Sequence, residues 1–526
     1  MSTNNVSKER IKIYQSLILE KIPSLLSLQD RERFSPTYGC FDRTYWQWKF
    51  IDFPGARFQE ALFALCYVYA NNFKDNIFFH NPKLLEWIEA GFLFYKKIQH
   101  KDGSFDEAYP YERSFVATGF TLFYLTEAFI VIRVYFKKDI QEEILTTFDK
   151  AGKWLLENSE THAFISNHRA GTAVGLYNLS KLMSDNRYEK RCWDIWETIK
   201  NNQSVDGWYN EYGGADPGYL TQGIYYTAVM YLKSKNDEVL HSLRKAIDFI
   251  KYFIHPDGTI GGEYGSRNTE FYFPGGFEIL SQYSPIAETI CKTLLPYVKE
   301  MKIPCLNSVD IYNIMPILNS VVSGCIFFCP NLETKPIPYS LESDFIKVFD
   351  DFKICVRKSG NLYTVIGISK GGVIKVYDIE RRKLILSSVG VFGEKGDRIL
   401  TSQCFHKKEL QFNINDNMIM IEGFIYHANY ALLSPLKMVL FRILSLLSGL
   451  SNSGSRYLKK LIVYLLISRD RRTKWKFKRI ITFDELKGAS VHTEIDGLPE
   501  VIFKEMEIHT SYHMGSSKYY KHSDLC

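Results

Sequence analysis

A chain of 526 residues is too long for one ordinary hydrophobic core and predicts two or three domains. Its 46% hydrophobic and 24% charged residues are those of a soluble globular protein, and a net charge of +6 without a dense basic tract in the first half argues against nucleic acid as a partner. Ten cysteines with no CxxC pair predict buried thiols rather than a disulfide frame or a zinc site, and neither a metal nor an organic cofactor is expected.

The amino terminus, MSTNNVSKERIKIYQSLILEKIPSLLSL, is amphipathic and interrupted by charge. It has neither the apolar core nor the cleavage site of a signal peptide, so the expected compartment is the cytoplasm. From about Ile11 to Val298 apolar residues recur at helical spacing, as in FQEALFALCYVYANNF and VLHSLRKAIDFIKYFI. Within this half a helix-pair pattern returns three times, with an Asp-Gly turn at Asp102-Gly103, Asp206-Gly207 and Asp257-Gly258. The last two turns lie 51 residues apart and the first two 104, close to two such periods. A stretch without the turn, HAFISNHRAGTAVGLYNL, falls where the missing copy belongs. Units of this length cannot bury their apolar faces alone and must stack or close on one another. The expected product over residues 1–320 is an (α/α) toroid, an incomplete barrel of helical hairpins with its loops gathered on one rim.

After Pro338 the pattern changes to short alternating runs such as FKICVRKSGNLYTVIGISKGGVIKVYDIE and LQFNINDNMIMIEGFIY. These predict antiparallel strands, and a β-sandwich over residues 335–526, the boundary falling between about Glu300 and Tyr339. Residues 436–479 break the pattern with a basic helical segment whose apolar stretches are shorter than the roughly 20 residues a bilayer requires. It reads either as a helical insertion packed on the sandwich or as an amphipathic hairpin on an anionic membrane. Arg456, Lys459, Lys460, Arg469, Arg471 and Arg472 flank its apolar runs.

Four loops carry residue types suited to chemistry. In FISNHRAG, the amide of Asn167, the imidazole of His168 and the guanidinium of Arg169 could receive a carboxylate and move a proton; the alternative is a helix start capped by Ser166 or Asn167. Tyr219, among Gly213, Gly214 and Gly218, could exchange a proton with a ligand that the backbone approaches closely, and Tyr212 could take the same part. Arg267 and Asn268 suit a carboxylate or sugar hydroxyls, and Glu263 and Glu270 a hydrolase. GCFDRTYWQWKFIDFP, with Asp42, Arg43 and Trp46, resembles the lining of a sugar cleft or a buried ion pair beneath a helix. The 15% aromatic content fits either gap filling between helices or sugar stacking.

Taken together, the helical hairpins with Glu107, Glu211 and Glu263 after their turns, the Asn-His pair, the downstream Asp-x-x-Tyr-x-x-x-Gly and the trailing VRKSGNLYTVIGISKGG resemble the heparinase II/III-like and alginate-lyase-like polysaccharide lyases. The resemblance runs from roughly Phe41 to the end. It implies a toroid that binds an acidic polysaccharide in a cleft against the sandwich. Asn167 would neutralise a uronate carboxylate, and Tyr219 and His168 would shuttle protons in β-elimination. Arg169, Arg267, Asn268, Tyr212 and Trp46 would be substrate contacts. The chain departs from that pattern in lacking an export signal, in its basic helical segment, and in having no second catalytic histidine motif around His406, His427 or His513.

The expected function is a lyase on a uronate-containing polysaccharide, connected with surface-polysaccharide metabolism. One alternative is a glycoside hydrolase, which needs two carboxylates about 5–10 Å apart, drawn from Glu107, Glu211, Asp216, Glu263 and Glu270. Another is a non-catalytic, membrane-associated assembly protein acting through residues 436–479.

Overall fold

A computed structural model describes the chain except residues 1–2, 301–302, 304–305, 330–332, 397, 404–409, 416, 429–432, 466–470, 485–487, 498–500 and 508–526. His406, Arg469 and His513 therefore lie outside the described residues.

The first half is helical: α1 (Thr3–Leu28), α2 (Arg43–Trp48), α3 (Ala61–Ala70), α4 (Pro82–Lys97), α5 (Phe115–Ile132), α6 (Lys138–Glu157), α7 (Ser166–Met183), α8 (Asn186–Asn201), α9 (Pro217–Ser234), α10 (Asp237–Ile250), α11 (Pro274–Leu280), α12 (Pro285–Lys299) and α13 (Ile311–Ile326). Local chemistry starts most of them. Asn81, Ser114, Asp185, Asp216, Asn236, Ser284 and Asp310 accept backbone N–H groups at helix N-termini, and proline takes the first position of α4, α9 and α12.

Two kinds of helix sort into two rings. Helices α3 and α5 are apolar on every side and buried almost throughout, whereas α6, α8 and α10 carry one apolar stripe. The inner helices α3, α5, α7, α9, α11 and α13 touch in sequence, and α13 touches α3. The circle is therefore closed, beyond the incomplete barrel expected from the sequence. Closure is completed by α1, which lies on α13 and ties itself to the last hairpin through buried charge. Arg10 pairs with Glu288 at 2.9 Å and Glu278 at 3.2 Å, and the Tyr14 hydroxyl donates to Glu278. Residues Phe115–Tyr135 are long and apolar enough to cross a bilayer, but 89% of that window is buried as the inner wall of the ring.

The three Asp-Gly turns are built alike. In each, the glycine N–H returns to the carbonyl three residues earlier (His100, Ser204 and His255). Each glycine has positive φ, and a Cβ on Gly103, Gly207 or Gly258 would lie about 2 Å from Lys150, Lys245 or Tyr297 of the next outer helix. The repeated glycine is thus a packing requirement between neighbouring hairpins.

The second half pairs two antiparallel sheets. One runs in order through β1 (Phe345–Phe349), β2 (Ile354–Ser359), β3 (Leu362–Gly367), β4 (Val373–Asp378) and β5 (Lys383–Ser388). The other contains β6 (Val391–Lys395), β7 (Arg398–Thr401), β8 (Gln411–Ile414), β9 (Met418–Ala428), β10 (Arg472–Asp484), β11 (Gly488–Asp496) and β12 (Phe503–Glu505). Its order is β11-β10-β9-β7-β6-β12, with β8 also on β9. Strands β3 and β4 are buried on both faces because the first sheet is the middle layer. Ile366, Ile374 and Val376 meet Ile421, Phe477 and Ile481 of the second sheet, while Tyr363, Val365 and Tyr377 join the toroid core.

Between β9 and β10 come α14 (Pro435–Ser448) and α15 (Asn452–Val463). Their described side-chain contacts correct the expectation of packing on the sandwich. Arg442 pairs with Asp52, Phe441 meets the Tyr109 ring edge-on, and Lys459 pairs with Glu112, all on rim loops of the toroid.

Candidate active site

Loops on the toroid rim converge on a cleft of about 610 Å³ lined by Asn167, His168, Tyr212, Tyr219 and Arg267, together with Arg57, Glu107 and Glu211. These residues come from five different turns of the ring.

Helix α7 begins at Ser166, but neither Ser166 nor Asn167 caps it. The capping position is Ile165, which has no side-chain acceptor. Glu211, from the neighbouring loop, does the capping instead. Its carboxyl accepts the Asn167 backbone N–H at 2.9 Å and the Asn167 Nδ2 at 2.8 Å, beside an Ile165–Glu211 strand-like bridge. One residue on, His168 Nδ1 lies 2.9 Å from Glu160 Oε1. Burial alone would raise the Glu160 carboxyl, but His168 first, by charge and hydrogen bond, and Lys459 further off hold it below the usual carboxylate range. An ionised carboxylate only accepts, so Nδ1 is the donor in this bond and Nε2 is the ring nitrogen that the bond does not engage. His162, 3.5 Å from the same oxygen, is pushed down to about 4 by burial and is neutral.

Tyr219 sits in the first turn of α9, its backbone N–H on the capping Asp216 and its ring edge-on to Phe271. The glycines around it do different jobs. A Cβ on Gly218 would meet Thr269 at 2.3 Å, so its bareness serves packing rather than ligand approach, whereas Gly213 faces open space. Tyr212 has φ +57, a region that costs a non-glycine residue roughly 1–2 kcal/mol. That backbone sets its ring under Arg267, whose guanidinium carbon is 3.8 Å from the ring centroid. Arg267 is 5% exposed, its Nε has no partner, and no carboxylate lies within ion-pair distance of it among the described residues.

The other residues named from sequence lie elsewhere. Arg169 turns away to stack on Phe164 and reach the Glu160 carbonyl. Asn268 accepts from Lys370 at the seam with the sandwich. Trp46 donates to the Leu28 carbonyl and lines a separate hollow of about 650 Å³. Glu263 and Glu270 are both engaged by Lys375 of β4, at 2.6 and 3.1 Å. Asp216 is occupied as cap and acceptor for the Arg267 and Thr269 backbone. Asp42 also caps a helix, α2, and Arg43 bonds Gln47. Sequence reasoning missed Arg57, which bridges Glu60 at 2.8 Å and Glu107 at 3.0 Å on the cleft wall, and Glu160, the partner of His168. Neither sits in a motif; the eight-residue step from Glu160 to His168 was the only hint.

Residues 52–276 match the family described as the ulvan lyase N-terminal domain. This stretch is similar to that domain, and it holds every cleft residue named above. No curated protein matches the sequence. Among solved structures, a Paenibacillus xanthan lyase is 10% identical with a TM-score of 0.49, over 82% of this chain and 46% of that one. A Streptomyces coelicolor A3 chondroitin AC lyase, in complex with chondroitin sulphate, is 11% identical with a TM-score of 0.49, over 80% and 67%. A heparinase III is 11% identical with a TM-score of 0.43, over 70% and 60%. The chain thus spans less than half the length of that xanthan lyase.

The carboxyl of Glu211 has a measurable signature. Burial pushes it up to about 8 although Asn167 and Arg267 pull it down. Its ordinary value is near 4.5, so the folded state holds a proton that the unfolded chain has released. The stability this confers is complete below about pH 4.5 and is lost as pH rises through about 8. Glu278, raised by burial to about 7, adds to the same fall at lower pH. The melting temperature should therefore drop between about pH 5 and about pH 9. Glu211→Gln, neutral throughout and able to pair with a reversed Asn167 amide, should flatten the upper part of that curve. A wild-type melting temperature that is level or rising across the range contradicts the assignment.

Proposed function

We propose that the protein is a lyase that cleaves a uronate-containing acidic polysaccharide by β-elimination. The observation that carries this is a buried Arg267 guanidinium without a carboxylate of its own, sharing a cleft with Asn167, His168 and Tyr219. A buried cation in a sugar-sized cleft calls for an anionic ligand.

The chemistry follows from charge. Removing the proton beside a uronate carboxylate places negative charge on the carboxylate oxygens, and Arg267 and the Asn167 amide neutralise it. His168, its ring oriented by Glu160 at Nδ1, takes the proton on Nε2. The Tyr219 hydroxyl then protonates the leaving glycosidic oxygen as the double bond forms. The hydrolase reading is weaker because its carboxylates are engaged: Glu107 on Arg57, Glu263 and Glu270 on Lys375, and Asp216 as a cap.

Incubation of the protein with a panel of uronate polymers should give rising ultraviolet absorbance from the unsaturated product, and Arg267→Ala should lower kcat/KM by about 10²–10³. New reducing ends without absorbance would assign a hydrolase and end the lyase proposal.

A further inference from the structure

The α14–α15 hairpin leaves a large apolar surface uncovered. Its inward face is narrow. On α14 it consists of Phe441, Arg442, Ser445 and Ser448; on α15, Ser455, Leu458 and Lys459 face the rim. Arg113 holds the joint by donating to the Gly449 carbonyl at 2.8 Å and to Asn452 at 2.6 Å, and Ser455 donates to the Tyr111 carbonyl. The rest of α14 is exposed, and Leu446 also lines the hollow beside Trp46. Leu436 is 70% exposed, Leu447 61% and Leu450 83%, with Val439, Ile443 and Tyr457 alongside. An uncovered apolar surface of this kind marks an interaction site.

Charge selects the occupant. Residues 435–465 contain no Asp or Glu, and exposed Lys437, Arg456 and Lys460 edge the apolar face. The basic edge continues onto β10, where Arg472, Lys474 and Lys476 are exposed, and Arg471 is tied back to the Leu465 carbonyl. Two copies meeting through this face would oppose like charges. An anionic bilayer offers what the face lacks: apolar depth beneath a negative surface. At 14 residues α14 is too short to span, so it would lie in the interfacial plane.

We propose that the α14–α15 hairpin is a membrane-surface anchor that seats the toroid rim on a bilayer containing anionic lipid. The anchor is independent of how the cleft is read, since neither Ile443 nor Leu447 lines it.

The test is co-sedimentation of the full chain with phosphatidylcholine vesicles, with and without phosphatidylglycerol. The full chain should pellet with the anionic vesicles and be released by salt. The paired substitution Ile443→Glu and Leu447→Glu should weaken binding about tenfold or more at an unchanged melting temperature, and Lys437→Glu with Lys460→Glu should do the same at low salt. Equal binding to neutral vesicles, no binding to either, or binding untouched by the Ile443/Leu447 pair would each overturn the proposal. So would a concentration-dependent dimer abolished by that pair in the absence of vesicle binding, which would give the face to a second copy.

Discussion

Tyr219→Phe is expected to abolish β-elimination while leaving the fold and the affinity for substrate in place. The substitution removes one oxygen. The backbone N–H still reaches Asp216, so the start of α9 keeps its cap, and the ring edge still rests on Phe271. On the proposed mechanism, what is lost is the proton for the leaving oxygen. A positioned general acid contributes about 10²–10⁴-fold, so kcat should fall by that factor with KM nearly unchanged. Circular dichroism and a thermal melt would establish that the variant is folded. A kcat within about tenfold of wild type would take Tyr219 out of the proton transfer.

The largest effect on stability is expected from Lys375→Ala. The Lys375 ammonium, buried on β4, is shared between Glu263 and Glu270 of the toroid loop that carries Arg267. Both carboxylates are themselves almost fully buried. Removing the cation leaves two like charges facing each other away from water, and breaking a buried pair in this way costs about 3–5 kcal/mol. The urea midpoint should fall accordingly. Activity should fall too, because the loop is held on either side of Arg267 by these two bonds. Lys375→Met, which keeps the bulk and loses the charge, should be nearly as damaging; a midpoint shifted by less than about 1 kcal/mol in both variants would show that the carboxylates find other partners.

Part of the architecture was legible in the chain because it is written in local terms. Apolar spacing marked the hairpins, and the alternating runs after Pro338 marked the strands. The three Asp-Gly turns gave the repeat. Where the ring closes was not legible, because α13 must meet α3, and Arg10 must meet Glu278 and Glu288, from far apart in the sequence. The resting place of α14 and α15 was not legible for the same reason: an amphipathic helix states that it has an apolar face, not which surface receives it.

The cleft divides along the same line. Asn167, His168, Tyr212, Tyr219 and Arg267 stood out as residue types near loops, and the fold gathers those five on one cavity. Arg169 and Asn268 were adjacent in sequence to members of that group yet point elsewhere, since successive residues at a helix start or a turn diverge in direction. Trp46 belongs to another hollow altogether. Sequence by itself determined the kinds of element, their repeat and the stock of acids, bases and aromatics on the rim, because those follow from backbone periodicity and side-chain chemistry. Only the tertiary structure decided which carboxylates are engaged by cations, which histidine nitrogen meets a carboxylate, and which arginine remains without one. Each of those depends on where the folded chain sets its loops and strands against one another, as when Lys375 of β4 reaches Glu263 and Glu270.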